Sequence, residues 1–122
     1  MKKRILLNLF QGFFYFLLSL GSLHGQVRLA QLGFDTYGDA VGDNFGVDVS
    51  ISADGLTLAV GAHENDFAGT DAGQVKVFDW NGSAWIQRGA DLVGRSADEN
   101  FGYSVSLSSD GQRVAIGAYG ND

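Results

Sequence analysis

The chain has 122 residues, 45% of them hydrophobic, and carries 14 acidic against 8 basic side chains for a net charge of −6. That length leaves room for one small domain, and the lack of any cysteine means that no disulfide staples it. With no basic stripe to release counterions from phosphates, the composition excludes nucleic acid as a partner.

Lys2, Lys3 and Arg4 precede a stretch from Ile5 to Leu23 dominated by Leu, Phe and Ile, interrupted mainly by Asn8 and Gln11. A positive start, an apolar middle and the small residues Gly21, Ser22 and Gly25 predict an N-terminal signal helix over residues 1–25, cut after Gly25. No Cys stands at the junction to carry a lipid. Retention as an anchor is the alternative, because about 20 apolar residues cross a bilayer. Either way the remainder is exported, to the cell surface or the medium, with no membrane insertion once the signal is cut. Its basic residues are then Arg28, Lys76, Arg88, Arg95 and Arg113 against all 14 acids, a net charge of −9.

Beyond the signal the chain repeats itself. Gln31 to Asp66 aligns without gaps on Gln87 to Asp122 at an offset of 56, with 17 of 36 pairs identical. In the first copy Val47, Val49 and Ile51 alternate with Asp48, Ser50 and Ser52, the period-2 pattern of a strand with one buried face. Asp54-Gly55 follows as a hairpin turn, and the return strand, Thr57 to Ala62, has Leu58, Val60 and Ala62 on one side. Small Ala59 and Gly61 on the other side predict close approach of a neighbouring sheet. A polar loop, His63 to Ala72, leads to a third strand over Gln74 to Asp79. The turn Asn81-Gly82 then leads to a fourth over Ala84 to Gln87. Four short antiparallel strands describe a propeller blade. The fold class is therefore all-β: a partial β-propeller of about one and a half four-stranded antiparallel blades after the signal helix. Repeat one covers about 31–86 and an incomplete repeat two covers 87–122. Such a unit leaves an open sheet edge and an uncovered apolar face, so further blades of the same polypeptide, or association, are expected.

The most constrained positions are Phe45-Gly46, Asp54-Gly55 and Gly61-Ala62, and their counterparts Phe101-Gly102, Asp110-Gly111 and Gly117-Ala118. A Phe-Gly followed about fifteen residues later by Gly-Ala resembles the FG-GAP repeat, the blade unit of integrin α-chain N-terminal β-propellers and of bacterial surface proteins. The family's Gly-Ala-Pro lacks its proline here, with His63 and Tyr119 in that place. The resemblance implies a binding or adhesion module for protein or glycan. It also implies a calcium loop, which would fall on Ser50, Ser52, Asp54, Gly55 and Leu58, and on Ser106, Ser108, Asp110, Gly111 and Val114. Most of the carboxylates that calcium requires are missing from both sets. Asp54 and Asp110 accordingly read as turn residues, and Asp66 and Asp71 in the loop with Glu64, Asn65 and Thr70 form a weak second candidate for the cation. No cofactor other than this possible calcium is expected.

No catalytic constellation emerges, and the chain reads as a non-enzyme. After the signal is removed His63 is the sole histidine, and His63-Glu64-Asn65-Asp66-Phe67 ends in Phe where a zinc-protease motif needs its second His. Asp98 and Glu99 read as a solvated acidic turn rather than a glycosidase pair. Trp80 and Trp85 read as fillers between sheets, Tyr37 and Tyr103 as exposed, and Asn81-Gly82-Ser83, although a glycosylation sequon, as a turn. Two other functions stay open: a structural spacer in a large surface protein, or a non-catalytic propeller attached to an enzyme.

Overall fold

A computed structural model describes residues 29–121. The predicted signal helix lies outside these residues. The chain divides into two compact units, Met1–Gln31 and Leu32–Asp122. Of the first, only residues 29–31 are described, and they form no strand.

The second unit is all-β, with two sheets laid out like partial propeller blades. The first sheet contains β1 (Val49–Ile51), β2 (Thr57–Ala62), β3 (Gln74–Trp80), β4 (Trp85–Gln87) and β5 (Leu92–Val93). The second contains β6 (Phe101–Leu107) and β7 (Val114–Ala118). All pairings within the sheets are antiparallel, with Leu58 opposite Phe78 across β2 and β3 and Val105 opposite Ile116 across β6 and β7. The first sheet thus holds five strands rather than the expected four. Leu92 and Val93 pair with Val75 and Gln74, so the sheet of repeat one takes its last strand from residues that sequence periodicity places in repeat two.

The turn chemistry explains the hairpins. In both copies Ser-x-Asp-Gly closes on itself: the Ser52 hydroxyl donates to Asp54 Oδ1 at 2.7 Å, and Leu56 N donates to the same oxygen at 2.9 Å. Ser108, Asp110 and Gln112 N repeat the arrangement at 2.6 and 3.0 Å. These are Asx turns, in which a short carboxylate takes the place of a backbone carbonyl.

The core lies between the sheets. Ala59, Val75 and Val77 of the first sheet and Val105 of the second are buried, with Phe101, Leu107, Val114 and Ile116 packed against them. Ala59 and Gly61 form the small-residue face, and the expected close approach is present. A methyl group at Gly61 would overlap the Gly102 carbonyl oxygen, and one at Gly102 would come within 2.5 Å of the Gln74 carbonyl oxygen. Gly102 also needs its φ of 93°, and Gly46, its counterpart, has φ 95°. Phe45 lies over Gly38 and Phe101 over Gly94, but the corners differ in packing, since Gly46 has open space around it while Gly102 lies against Gln74 and Val75.

Two expectations require correction. Val47, Val49 and Ile51 do not form a buried face: they are 40%, 56% and 55% exposed, while the buried side of that tract is the polar one. In the second copy Val105, the counterpart of Val49, is 7% exposed and Leu107, that of Ile51, packs against the core, because that face has another sheet in front of it, whereas Tyr103, the counterpart of Val47, is 50% exposed. The tryptophans do not fill the space between the sheets either. Trp80 and Trp85 pack on each other at 5.4 Å, beside Gly33, and Trp85 Nε1 donates to the Leu32 carbonyl.

The same valine therefore has two energetic meanings. Val105→Ala is expected to lower the unfolding free energy by about 2 kcal/mol through lost burial and a residual cavity. Val49→Ala should change it by no more than about 0.5 kcal/mol. Urea denaturation of the two variants checks this, and equal losses would contradict the arrangement of the sheets.

Candidate functional site

The residues with the most chemistry to offer lie at the seam between the repeats and in the loops at one end of it. At the seam, Asp48 and Ser50 project from the first sheet toward the free edge of β6. Asp48 Oδ2 accepts from Val105 N at 2.8 Å, and Ser50 Oγ accepts from Leu107 N at 2.9 Å. An edge strand carries a row of unpaired N–H groups, and side-chain acceptors cap two of them here. The polar positions of the alternating tract thus supply two caps.

At the turn end, Arg88 holds the copies together. Its guanidinium donates to both oxygens of Asp79 at 2.8 and 2.6 Å, to Thr57 Oγ1 at 3.2 Å, and across the seam to the Gly111 carbonyl at 2.8 Å. The turns also meet directly, through Ala53 N donating to the Ser109 carbonyl at 2.9 Å. The hydrogen bonds from Arg88 hold the Asp79 carboxyl below its usual range, outweighing partial desolvation, with Thr57 adding to the effect.

At the loop end, residues 63–73 meet residues 94–101 through backbone bonds. Asp98 N, Asn100 N and Phe101 N donate to the carbonyls of Thr70, Asp71 and Ala72. Asp43 and Glu99, equivalent in the two copies, are 5% and 3% exposed, so the expected solvated turn at Glu99 is corrected. Glu99 Oε1 accepts from Arg95 N and Ser96 N, while Asp43 Oδ2 accepts from Ala40 N and Asn65 Nδ2. A carboxylate satisfied by backbone donors tolerates burial that a free one would not. The loop His63 to Ala72 is likewise not wholly solvated: His63 and Asn65 are buried.

Beside this end a depression is lined by Asp39, Asp43, Asn65, Asp66, Phe67 and Asp91. Lys76 crosses beneath it, 3.0 Å from Asp39 and 3.2 Å from Asp91, and Gln74 Nε2 donates to both carboxylates at 3.0 Å. Burial disfavours the Lys76 ammonium, but the hydrogen bonds it donates to the two carboxylates outweigh this and raise its pKa. Hydrogen bonds from Gln74, then Lys76, hold Asp39 below the usual carboxylate range. The protein's own cation thus occupies this pair of acids.

Asp54 and Asp110 lie in neighbouring turns, and Asp66 and Asp71 lie in a loop at the opposite end, where Asp66 Oδ1 accepts from Asp71 N at 2.9 Å. Hydrogen bonds from Ser52 and Ser108, followed by those from Leu56 N and Gln112 N, lower the pKa values of Asp54 and Asp110. Among the described residues, no group of three or more His, Asp or Glu side chains is placed to hold a metal ion. Of the positions onto which the resemblance lays a calcium loop, Ser50 is engaged with Leu107 N, and Ser52 and Asp54 with each other.

Aromatic side chains complete the loop end. His63, Tyr103 and Tyr119 stack edge to face in sequence, at centroid distances of 5.2 and 4.8 Å, and Phe67 is exposed. Of the sites missed in the sequence, Asp43 with Glu99 had a readable signal: an acid kept at the same repeat position. Asp48 and Arg88 had none, because their counterparts are Ser104 and Leu32.

Two expectations follow. Asp48→Ala, which leaves Val105 N without its acceptor, should cost about 1–3 kcal/mol in urea denaturation, and Asp48→Asn, which keeps an acceptor oxygen, should cost less. Because Asp79 and Asp39 titrate below their ordinary values, their contribution is present above about pH 4 and is lost as the pH falls through their folded-state values. Arg88 and Asp79 are 38% and 42% exposed, so Arg88→Ala should cost only about 1 kcal/mol at pH 7. The difference from the parent should narrow below about pH 4, as measured by urea titrations from pH 7 to 2.

Comparison with known proteins agrees with this geometry over part of the chain. No curated protein and no solved structure matches it. Residues 37–78 match the FG-GAP repeat, a structural and adhesive unit rather than a catalytic one. An FG-GAP repeat is therefore present in this chain, spanning the Phe45-Gly46 corner, the Asp54-Gly55 turn, Gly61-Ala62 and most of β3.

Proposed function

We propose that this chain is an exported β-propeller repeat module that binds a protein or glycan at the loop end of its blades, at the cell surface or in the medium. The observation that carries the reading is the division of labour within the repeat. Glycines, turn carboxylates and buried valines lock the sheets together, while at the loop end Phe67, Tyr103 and Tyr119 are 80%, 50% and 67% exposed and Phe67 lines the acidic depression. Exposed aromatics next to hydrogen-bonding carboxylates suit the apolar faces and hydroxyls of a sugar, or a polar protein surface. The FG-GAP match supports an adhesive role, and the basic-then-apolar start of the chain supports export. A structural spacer is the competing reading, favoured by a seam that uses most of the repeat's polar groups internally.

Two experiments test this. Fusing residues 1–30 to a reporter should direct its export with cleavage after Gly25; retention in the cytoplasm rules out export. The purified chain should bind members of a glycan and matrix-protein panel, with Phe67→Ala combined with Tyr119→Ala reducing binding at least tenfold and leaving the urea midpoint unchanged. Binding to none of the panel favours the spacer.

A further inference from the structure

The turn that folds β3 back onto β4 brings a nucleophile, an electrophile and a leaving group together. Asn81 is the only asparagine of the chain that precedes a glycine. It stands exposed at the tip of the hairpin, directly after Trp80, which pairs with Trp85. Its Oδ1 accepts three hydrogen bonds: from Ser83 N at 2.9 Å, from Ala84 N at 2.9 Å and from the Ser83 hydroxyl at 3.2 Å. The ring closed by the Ser83 N bond spans the Gly82 nitrogen, so the side chain is folded back over that amide. Attack on Cγ would drive negative charge onto Oδ1, where the three donors already point, and donors so placed act as an oxyanion hole. Asn81 Nδ2 and Gly82 N have no hydrogen-bond partner among the described residues, and the space beside Gly82, whose φ is 105°, is open to water.

The two Asp-Gly turns share the side-chain half of this arrangement and lack the backbone half. Asp54 Oδ1 and Asp110 Oδ1 also accept from a serine hydroxyl and from the amide two residues on. Gly55 N, however, donates to the Ser52 carbonyl at 2.9 Å, and Gly111 N donates to the Ser108 carbonyl at 2.8 Å. A nitrogen whose hydrogen is held by a carbonyl must break that bond before it can lose the proton and attack. Gly82 N has no such bond to break.

We infer that Asn81 is a site of spontaneous deamidation in the folded chain, with Gly82 N as the nucleophile, whereas the fold shields Asp54 and Asp110 from the equivalent rearrangement. Gly82 N gives its proton to hydroxide and bonds to Cγ, and the charge collects on Oδ1. The Cγ–Nδ2 bond then breaks, and the nitrogen takes a proton from water and leaves as ammonia. Water opens the resulting cyclic imide at either carbonyl, to aspartate or to isoaspartate. Either product adds a negative charge at the tip, and isoaspartate also inserts a backbone methylene between the paired Trp80 and Trp85. The chemistry needs only water, so it holds whether or not the module is exported or adhesive.

The test is to age the purified full chain in mildly alkaline buffer, folded and in parallel unfolded by urea, and to follow each turn by peptide mapping with mass spectrometry. Isoaspartate is counted by enzymatic methyl transfer. Dividing the unfolded rate by the folded rate at each site removes the different intrinsic reactivities of Asn and Asp. That ratio should lie near unity at Asn81 and be at least about tenfold larger at Asp54 and Asp110, the rate equivalent of one hydrogen bond to be broken. Asn81→Gln should abolish the amide-to-acid mass change of the folded chain. Ser83→Ala, which removes one of the three donors, should slow the folded chain about threefold and leave the unfolded rate unaltered. A smaller difference between the turns, a mass change that survives Asn81→Gln, or a folded rate indifferent to Ser83→Ala overturns the inference.

Discussion

The structure depends on a backbone-to-backbone approach at Gly61 and Gly102, where two sheets come closer than any side chain would permit. Apolar area is buried between Ala59, Val75 and Val77 on one side and Val105, Leu107, Val114 and Ile116 on the other because nothing bulkier than hydrogen stands at that contact. Dispersion attraction falls steeply with small separations, so a gap the width of a methyl group would forfeit much of the packing. The Gly-Ala of the first copy and the Phe-Gly of the second are the covalent record of this requirement.

Bringing sheets that close raises the problem of the strand edge. β6 faces the first sheet with amide groups that β7 does not satisfy, and an unpaired buried N–H costs about as much as a lost hydrogen bond. Asp48 and Ser50 answer it from the neighbouring repeat. Polar side chains thus do between sheets what a ladder does within one, and they fix the register because each cap reaches only one amide. Arg88 and the Ala53–Ser109 bond restrain the turn end in the same way, and the Thr70, Asp71 and Ala72 carbonyls restrain the loop end.

A repeat built in this manner has two unlike faces. One presents Val49 and Ile51, or Val105 and Leu107; the other presents Ala59 and Gly61, or Ala115 and Gly117. Where the faces meet, valine is buried; where they do not, the identical residue is exposed. The loops at the end of the seam combine both roles, burying His63, Asn65 and Ala72 while leaving Phe67 exposed.

From the sequence alone one could read the all-β class, the 56-residue period, the Asp-Gly turns, and strands β2 and β3 to within a residue, because all of these are local: period-2 alternation, turn chemistry and glycine placement act over a few neighbours. The small-residue face at Ala59 and Gly61 was legible for the same reason. Tertiary structure alone decided which valines are buried, that Leu92 and Val93 complete the first sheet, and that Asp48 serves an amide 57 residues away. Each of these depends on what stands opposite a residue in space. Alternation along a strand states that its two faces differ, and only the neighbouring sheet determines which one is the interior.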